Sequence, residues 1–157
     1  MVKYTKIVDK LSAEVPFVGP ETQERKSGKN FQVRIGANES VFGPSSKAID
    51  AMRKSVANET WKYGDPENYA LKAEIASFLN VSTDNIIVGE GIDGLLGYLV
   101  RLCVSKETKV VTSAGAYPTF NYHVRGFGGN LKMVPYVDNY EDIESLLLEA
   151  KRQEASL

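Results

Sequence analysis

A single cysteine and a single histidine stand among 157 residues, and neither sign of charge dominates. The lone Cys103 excludes an internal disulfide and a cysteine-based zinc site. Its setting, Leu99-Val100-Arg101-Leu102-Cys103-Val104, reads as core packing. Nineteen Lys and Arg against twenty Asp and Glu leave a net charge of −1, so there is no basic field for nucleic acid or an anionic membrane. No apolar run approaches a membrane span, and Met1-Val2-Lys3-Tyr4-Thr5-Lys6 lacks a signal-peptide core. The sequons at Asn38, Asn58 and Asn80 carry no weight without such a signal, and a cytoplasmic protein is the simplest reading. Repeats and low-complexity tracts are also missing. What remains, 43% apolar and 25% charged residues, is ordinary for a globular protein able to bury a core.

Residues 1–30 read as an irregular arm punctuated by Pro16, Gly19, Pro20 and Gly28. Residues 31–84 lead from it into a larger α/β domain. Phe31-Gln32-Val33-Arg34-Ile35 is a short extended piece, and Ser45 or Ser46 caps a helix with Ile49, Met52 and Val56 on its apolar face. In Tyr63-Gly64-Asp65-Pro66 the aspartate reads as an N-cap and Pro66 as the first helical residue. The helix that follows carries Leu71, Ile75, Phe78 and Leu79 on one face.

From residue 85 onward strand and helix alternate. Strand 86–89 precedes a helix with Leu95, Leu96, Leu99, Val100 and Cys103 inward. Strand 109–113 precedes a helix opened by Pro118. Strand 131–135 precedes one opened by a capping box, Asp138-x-x-Glu141, with Ile143, Leu146, Leu147 and Ala150 as its stripe. This rhythm predicts a mostly parallel sheet covered by helices. Ala155-Ser156-Leu157 starts a further strand by the same pattern, so the chain reads as a fragment whose large domain, residues 85–157, is incomplete.

The most informative stretch is Asn85-Ile86-Ile87-Val88-Gly89-Glu90-Gly91-Ile92-Asp93-Gly94-Leu95-Leu96. A glycine corner between strand and helix aims backbone N–H groups and the positive helix end at one spot, which suits a phosphate. Its letters also satisfy G-x-G-x-x-G. A dinucleotide fold would place an acid at the end of the next strand, and Thr112-Ser113-Ala114-Gly115-Ala116 has none. No Gly-Lys-Ser/Thr follows, which excludes a P-loop. Glycines that merely permit a tight corner are the plain structural alternative.

A second signal is Ala116-Tyr117-Pro118-Thr119-Phe120-Asn121-Tyr122. An aromatic in a first helical turn is usually packing. At the carboxyl end of a parallel strand it overlooks the crevice where ligands bind, and there it could stack on a flat heteroaromatic ring.

Together with Ala37-Asn38-Glu39-Ser40-x-Phe42-Gly43-Pro44 and Lys62-Tyr63-Gly64-Asp65-Pro66, these two segments resemble the N-terminal part of a pyridoxal-phosphate-dependent aminotransferase. The resemblance is to fold type I, class I/II, and to the histidinol-phosphate aminotransferase-like group, from about residue 31 to the end. It implies a partial large domain of the three-layer αβα type, with pyridoxal 5'-phosphate as cofactor and an amino acid and a 2-oxo acid as substrates. It also implies a homodimer. By the same resemblance, the backbone N–H groups of Ile92 and Asp93, after Gly91, hold the cofactor phosphate. Phe120 stacks on its ring, Tyr63 reaches the phosphate of the neighbouring subunit, and Asn38 lies near the substrate. Many relatives carry a small or hydroxyl residue and then Asp-Glu after the second glycine. Here Ile92-Asp93-Gly94 leaves backbone donors alone, which points to a paralogous aminotransferase.

The family's Schiff-base lysine, the aspartate paired with the pyridinium nitrogen and the arginine that takes the substrate carboxylate are expected beyond Leu157. Lys106, Lys109 and Lys132 do not stand at the lysine's place, so these residues by themselves would not catalyse. His123 has no acidic partner nearby in sequence and reads as structural. Arg125, Lys151 and Arg152 read as helix-end charges. An NAD(P)-dependent oxidoreductase using residues 89–94, or a non-enzymatic α/β binding module, are the competing readings.

Overall fold

A computed structural model describes residues 3–13, 16–36 and 38–157. The chain divides into two compact units, Val18–Val88 on the one hand and Met1–Phe17 with Gly89–Leu157 on the other.

The Val18–Val88 unit is helical. Its first helix, α1 (Pro20–Ser27), corrects the reading of an irregular arm. Pro20 occupies the first helical turn, and Gly28 closes the helix with its N–H on the Glu24 carbonyl at 2.9 Å. Residues that punctuate a loop are also those that start and stop a helix, and here they do the latter. The segment 31–35 forms no strand; its Arg34 is drawn into ion pairs with Glu21 and Glu39. Helix α2 (Ser46–Glu59) follows the expected cap, Ser45 Oγ accepting from the Ala48 N–H at 3.2 Å. Its apolar face is open, with Met52 and Val56 exposed.

Helix α3 (Tyr69–Leu79) begins three residues later than Pro66 predicts. Asn68 takes a left-handed conformation ahead of it (φ 50°). The Asp65 carboxylate accepts from Glu67 N–H at 3.0 Å and Tyr69 N–H at 2.8 Å. Asp65 therefore holds a turn in front of the helix while satisfying the helix's first free donor. Residues 86–89, predicted as a strand, have an extended start (Ile86 φ −120°, ψ 123°) but join no ladder among the described residues.

The second unit contains the sheet. Helix α4 (Gly91–Cys103), strand β1 (Lys109–Ser113), helix α5 (Pro118–Gly126), strand β2 (Asn130–Val134) and helix α6 (Ile143–Gln153) follow in order. The strands pair in parallel, from Lys109 opposite Asn130 to Ser113 opposite Val134, with α5 as the crossover that parallel neighbours require. Their predicted positions hold to within one residue. Val100, Val104, Val110 and Val124 form the core, and Cys103, Phe120, Leu131 and Leu157 pack against it. Burying branched aliphatic side chains here removes ~1.5–3 kcal/mol worth of apolar surface each from water. Leu99 and Leu102 on α4 stay exposed.

The predicted further strand has a beginning in the hydrogen bonds: Ser156 N–H donates to the Lys109 carbonyl at 3.0 Å, and Val111 N–H to the Leu157 carbonyl at 2.9 Å. Helix α6 is capped by Asp142, whose carboxylate accepts from Ser145 N–H at 3.1 Å, instead of by Asp138. Val137 and Tyr140 bridge each other across a turn with Asp138 and Asn139 at positive φ, which takes Asp138 out of the capping register.

Candidate active site

The glycine corner forms directly ahead of α4, although the stretch before it joins no ladder among the described residues. Gly91 has φ +70°, and the place a Cβ would occupy is open for 4 Å around. A side chain there would be strained and would stand in front of the helix end. The N–H groups of Ile92 and Asp93 find no acceptor among the described residues. They belong to the first turn of α4, where donors have no intrahelical partner.

Two carboxylates could have capped this helix, and both are drawn aside. Glu90 occupies the N-cap position without a capping hydrogen bond and accepts from the Tyr98 hydroxyl at 3.1 Å. That carboxylate holds the Tyr98 hydroxyl above its ordinary pKa. Asp93 turns its Oδ1 to His123 Nε2, 3.1 Å away. The helix end thus keeps free donors while Glu90 lies along the flank of α4 beside Gly94 and Asp93 is held by His123, and free donors of this kind can take an anion. The donors and the open space fit a phosphate monoester.

His123 is the feature that sequence spacing missed, because its acidic partner lies 30 residues away. The ring rests against Gly97, where an added Cβ would lie 3.2 Å from it. His123 thereby ties the start of α4 to α5, one turn from Phe120. Phe120 is half-buried in the first turn of α5 and touches the core cluster. Its neighbours Thr119 and Asn121 are buried, and their Oγ1 and Oδ1 atoms lack a hydrogen-bond partner among the described residues. Nothing in their spacing announces those orphaned atoms.

Past the ends of the two strands, Tyr136 lies across Gly115: a Cβ there would come within 2.5 Å of the ring's Cζ. Ser113 Oγ donates to Glu141 Oε1 at 2.6 Å. A carboxylate does reach the end of β1, but that oxygen is already taken by the serine.

The two remaining predicted residues belong to the other unit. Tyr63 is fully exposed in the loop between α2 and α3. Asn38 is exposed and left-handed (φ 54°), with its N–H 3.3 Å from the Ile35 carbonyl.

Comparison with known proteins finds relatives along most of the chain. The family model for class I and II aminotransferases matches residues 31–156. A histidinol-phosphate aminotransferase of Desulfotalea psychrophila is 29% identical over 124 residues, 79% of this chain and 32% of its own length. That of Staphylococcus haemolyticus is 25% identical over 149 residues, 94% of this chain and 42% of its own. A crystal structure of histidinol-phosphate aminotransferase from Sinorhizobium meliloti in complex with pyridoxal-5'-phosphate superposes with a TM-score of 0.89 at 51% identity. It covers 99% of this chain, which spans 41% of that one. LysN, an α-aminoadipate aminotransferase of Thermus thermophilus, shares the fold alone, at a TM-score of 0.63 and 20% identity over 73% of this chain and 30% of its own. The chain spans about two-fifths or less of these proteins, carries part of the α/β architecture of fold type I, and belongs to the class I and II aminotransferase family.

Proposed function

We propose that this chain supplies the phosphate cup and the ring-stacking face of a pyridoxal 5'-phosphate site. The whole enzyme would move an amino group between an amino acid or amino-phosphate and a 2-oxo acid. The observation that carries this reading is the start of α4: Ile92 and Asp93 N–H groups without acceptors, behind the open Gly91, with both nearby carboxylates tied to other side chains. The family match and the names of the relatives support it, and they weigh against the dinucleotide alternative.

In this reading Gly91, Ile92 and Asp93 bind the phosphate through backbone donors and the helix dipole. Phe120 holds the ring plane from one side. Tyr63, free of packing, reaches the phosphate in the partner subunit of a homodimer, and Asn38 lies toward the substrate. The bound cofactor supplies an electron sink for the substrate carbon being deprotonated. These residues orient that sink and do not move the proton; the lysine that would do so is expected outside residues 1–157. Residues 85–157 form the cofactor-binding part, and the enzyme works in the cytoplasm on small molecules. No helix among the described residues is long and apolar enough to cross a membrane.

The test compares pyridoxal 5'-phosphate with pyridoxal by equilibrium dialysis against the 157-residue chain. Since the cup recognises the phosphate, the phosphorylated form should bind at least about tenfold tighter. Equal retention of the two would remove the cup from the site.

A further inference from the structure

At the opposite end of the strands from Phe120, the structure holds a cavity of about 660 Å³. Lys106 and Glu107 precede β1 and Gly128 and Gly129 precede β2, so the cavity opens at the amino ends of the sheet. Its other side is the segment around the short 3-10 turn Val8–Lys10. The volume falls in the range of small-molecule sites, roughly 300–1,000 Å³.

The run Arg125-Gly126-Phe127-Gly128-Gly129, which the cofactor site does not use, builds one wall. Ile7 packs over Gly128, where a Cβ would lie 3.1 Å from its Cδ1, and Leu11 lies over Gly126 at 3.9 Å by the same measure. A side chain at Gly128 would crowd Ile7, whereas Leu11 rests on Gly126 at ordinary contact distance. Ile7, Leu11 and Tyr122 then give the cavity an apolar interior.

Its charge is one-sided. Lys6, Lys10, Lys106 and Arg125 line it against one carboxylate, Glu107. Glu107 lies 3.7 Å from Lys106, while Lys6, Lys10 and Arg125 have no carboxylate partner among the described residues. In a chain of net charge −1, this is a local concentration of unpaired cations around an apolar hollow. Such a combination selects a ligand with an apolar body and an anionic head.

We propose that this cavity is a second ligand site, separate from the cofactor cup, for a small organic anion with an apolar body. The anionic head is a phosphate monoester or a carboxylate, met by Lys106 and Arg125 on the sheet side and by Lys6 and Lys10 on the N-terminal side. The apolar body lies on Ile7, Leu11 and Tyr122.

The experiment titrates the 157-residue chain with phenyl phosphate, with 3-phenylpropionate and with neutral benzyl alcohol, by calorimetry and amide NMR. Saturable binding of at least one anion, with shifts at Gly128 and Gly129 and none from the alcohol, is the expected result; the tighter anion identifies the head group. Lys106→Gln with Arg125→Gln should weaken binding at least about tenfold. Lys6→Gln with Lys10→Gln should act in the same direction from the other wall. All four residues are exposed, so the fold survives their replacement. Asp93→Asn, at the cofactor cup, should leave this binding unchanged. Binding that ignores both double variants, follows Asp93→Asn, is matched by the alcohol, or is not detected to about 10 mM overturns the proposal.

Discussion

Asp93 and His123 meet at 3.1 Å, Oδ1 to Nε2, and the contact joins the first turn of α4 to α5. The pair is half-open to water, so its direct worth in stability is small, about 0–1 kcal/mol. Its larger consequence is where it keeps the carboxylate. Without His123 the Asp93 side chain is free to fold back onto its own helix end and compete there with an anionic ligand. His123→Ala should therefore weaken retention of pyridoxal 5'-phosphate several-fold while hardly moving the unfolding midpoint, and adding Asp93→Ala should restore it. Loss that persists in the double variant would mean that the imidazole itself holds the ligand.

Phe120 packs in the core and, in the proposed site, stacks on the cofactor ring, and one substitution confounds the two. It packs against the core cluster, so Phe120→Ala should cost stability, on the order of 3 kcal/mol if the gap does not close. Phe120→Leu keeps most of that volume and removes the flat ring. Retention of pyridoxal 5'-phosphate by the leucine variant should fall by about 1 kcal/mol, roughly fivefold. Dialysis of the leucine variant checks this, and undiminished retention would reduce Phe120 to a packing residue.

Gly115 leaves no room for a side chain because Tyr136 lies over it. Gly115→Ala should destabilise by about 1–3 kcal/mol through overpacking. Tyr136→Leu, harmless to the glycine, should recover much of that loss in the double variant, as residues sharing one space are non-additive. Thermal unfolding of the four proteins measures the coupling; simple additivity would show that the ring moves aside freely.

Much of this was legible in the sequence, and the failures have physical causes. β1 was readable as a β-branched run, Val110-Val111-Thr112, and β2 as an alternation of apolar residues, Leu131 and Met133, each between turn residues. The glycine corner at the start of α4 was readable because glycines directly before an apolar-periodic helix mark a tight turn. α1 was hidden because Gly19, Pro20 and Gly28 serve equally as loop punctuation and as helix ends. The capping box was misplaced by four residues because Asp138 and Asp142 both precede the same apolar stripe, and only the left-handed turn at Asp138 and Asn139 decides between them. The Asp93–His123 and Ser113–Glu141 contacts could not be read, since 30 and 28 residues separate the partners and the fold alone brings them together.

The last prediction concerns acid. Glu149 on α6 accepts from Arg152 twice, Nε to Oε2 at 2.8 Å and Nη2 to Oε1 at 2.7 Å, and from Gln153 Nε2 at 2.8 Å. These donors favour the carboxylate, Arg152 first, and bring the pKa from 4.5 down to about 2. A carboxyl whose pKa is lower in the folded chain binds protons more readily when unfolded. Its contribution is therefore fully present above pH 4.5 and is lost as the pH falls toward about 2. Between those limits the wild-type chain should lose stability that Arg152→Ala has already given up, so the gap between the two unfolding midpoints should narrow steadily from pH 5 to pH 2. The carboxyl carbon of Glu149, followed by NMR, should titrate near 2 in the wild type and nearer 4.5 in the variant, with Gln153 holding it somewhat below that. A gap that stays constant with pH would show that the arginine acts by packing alone.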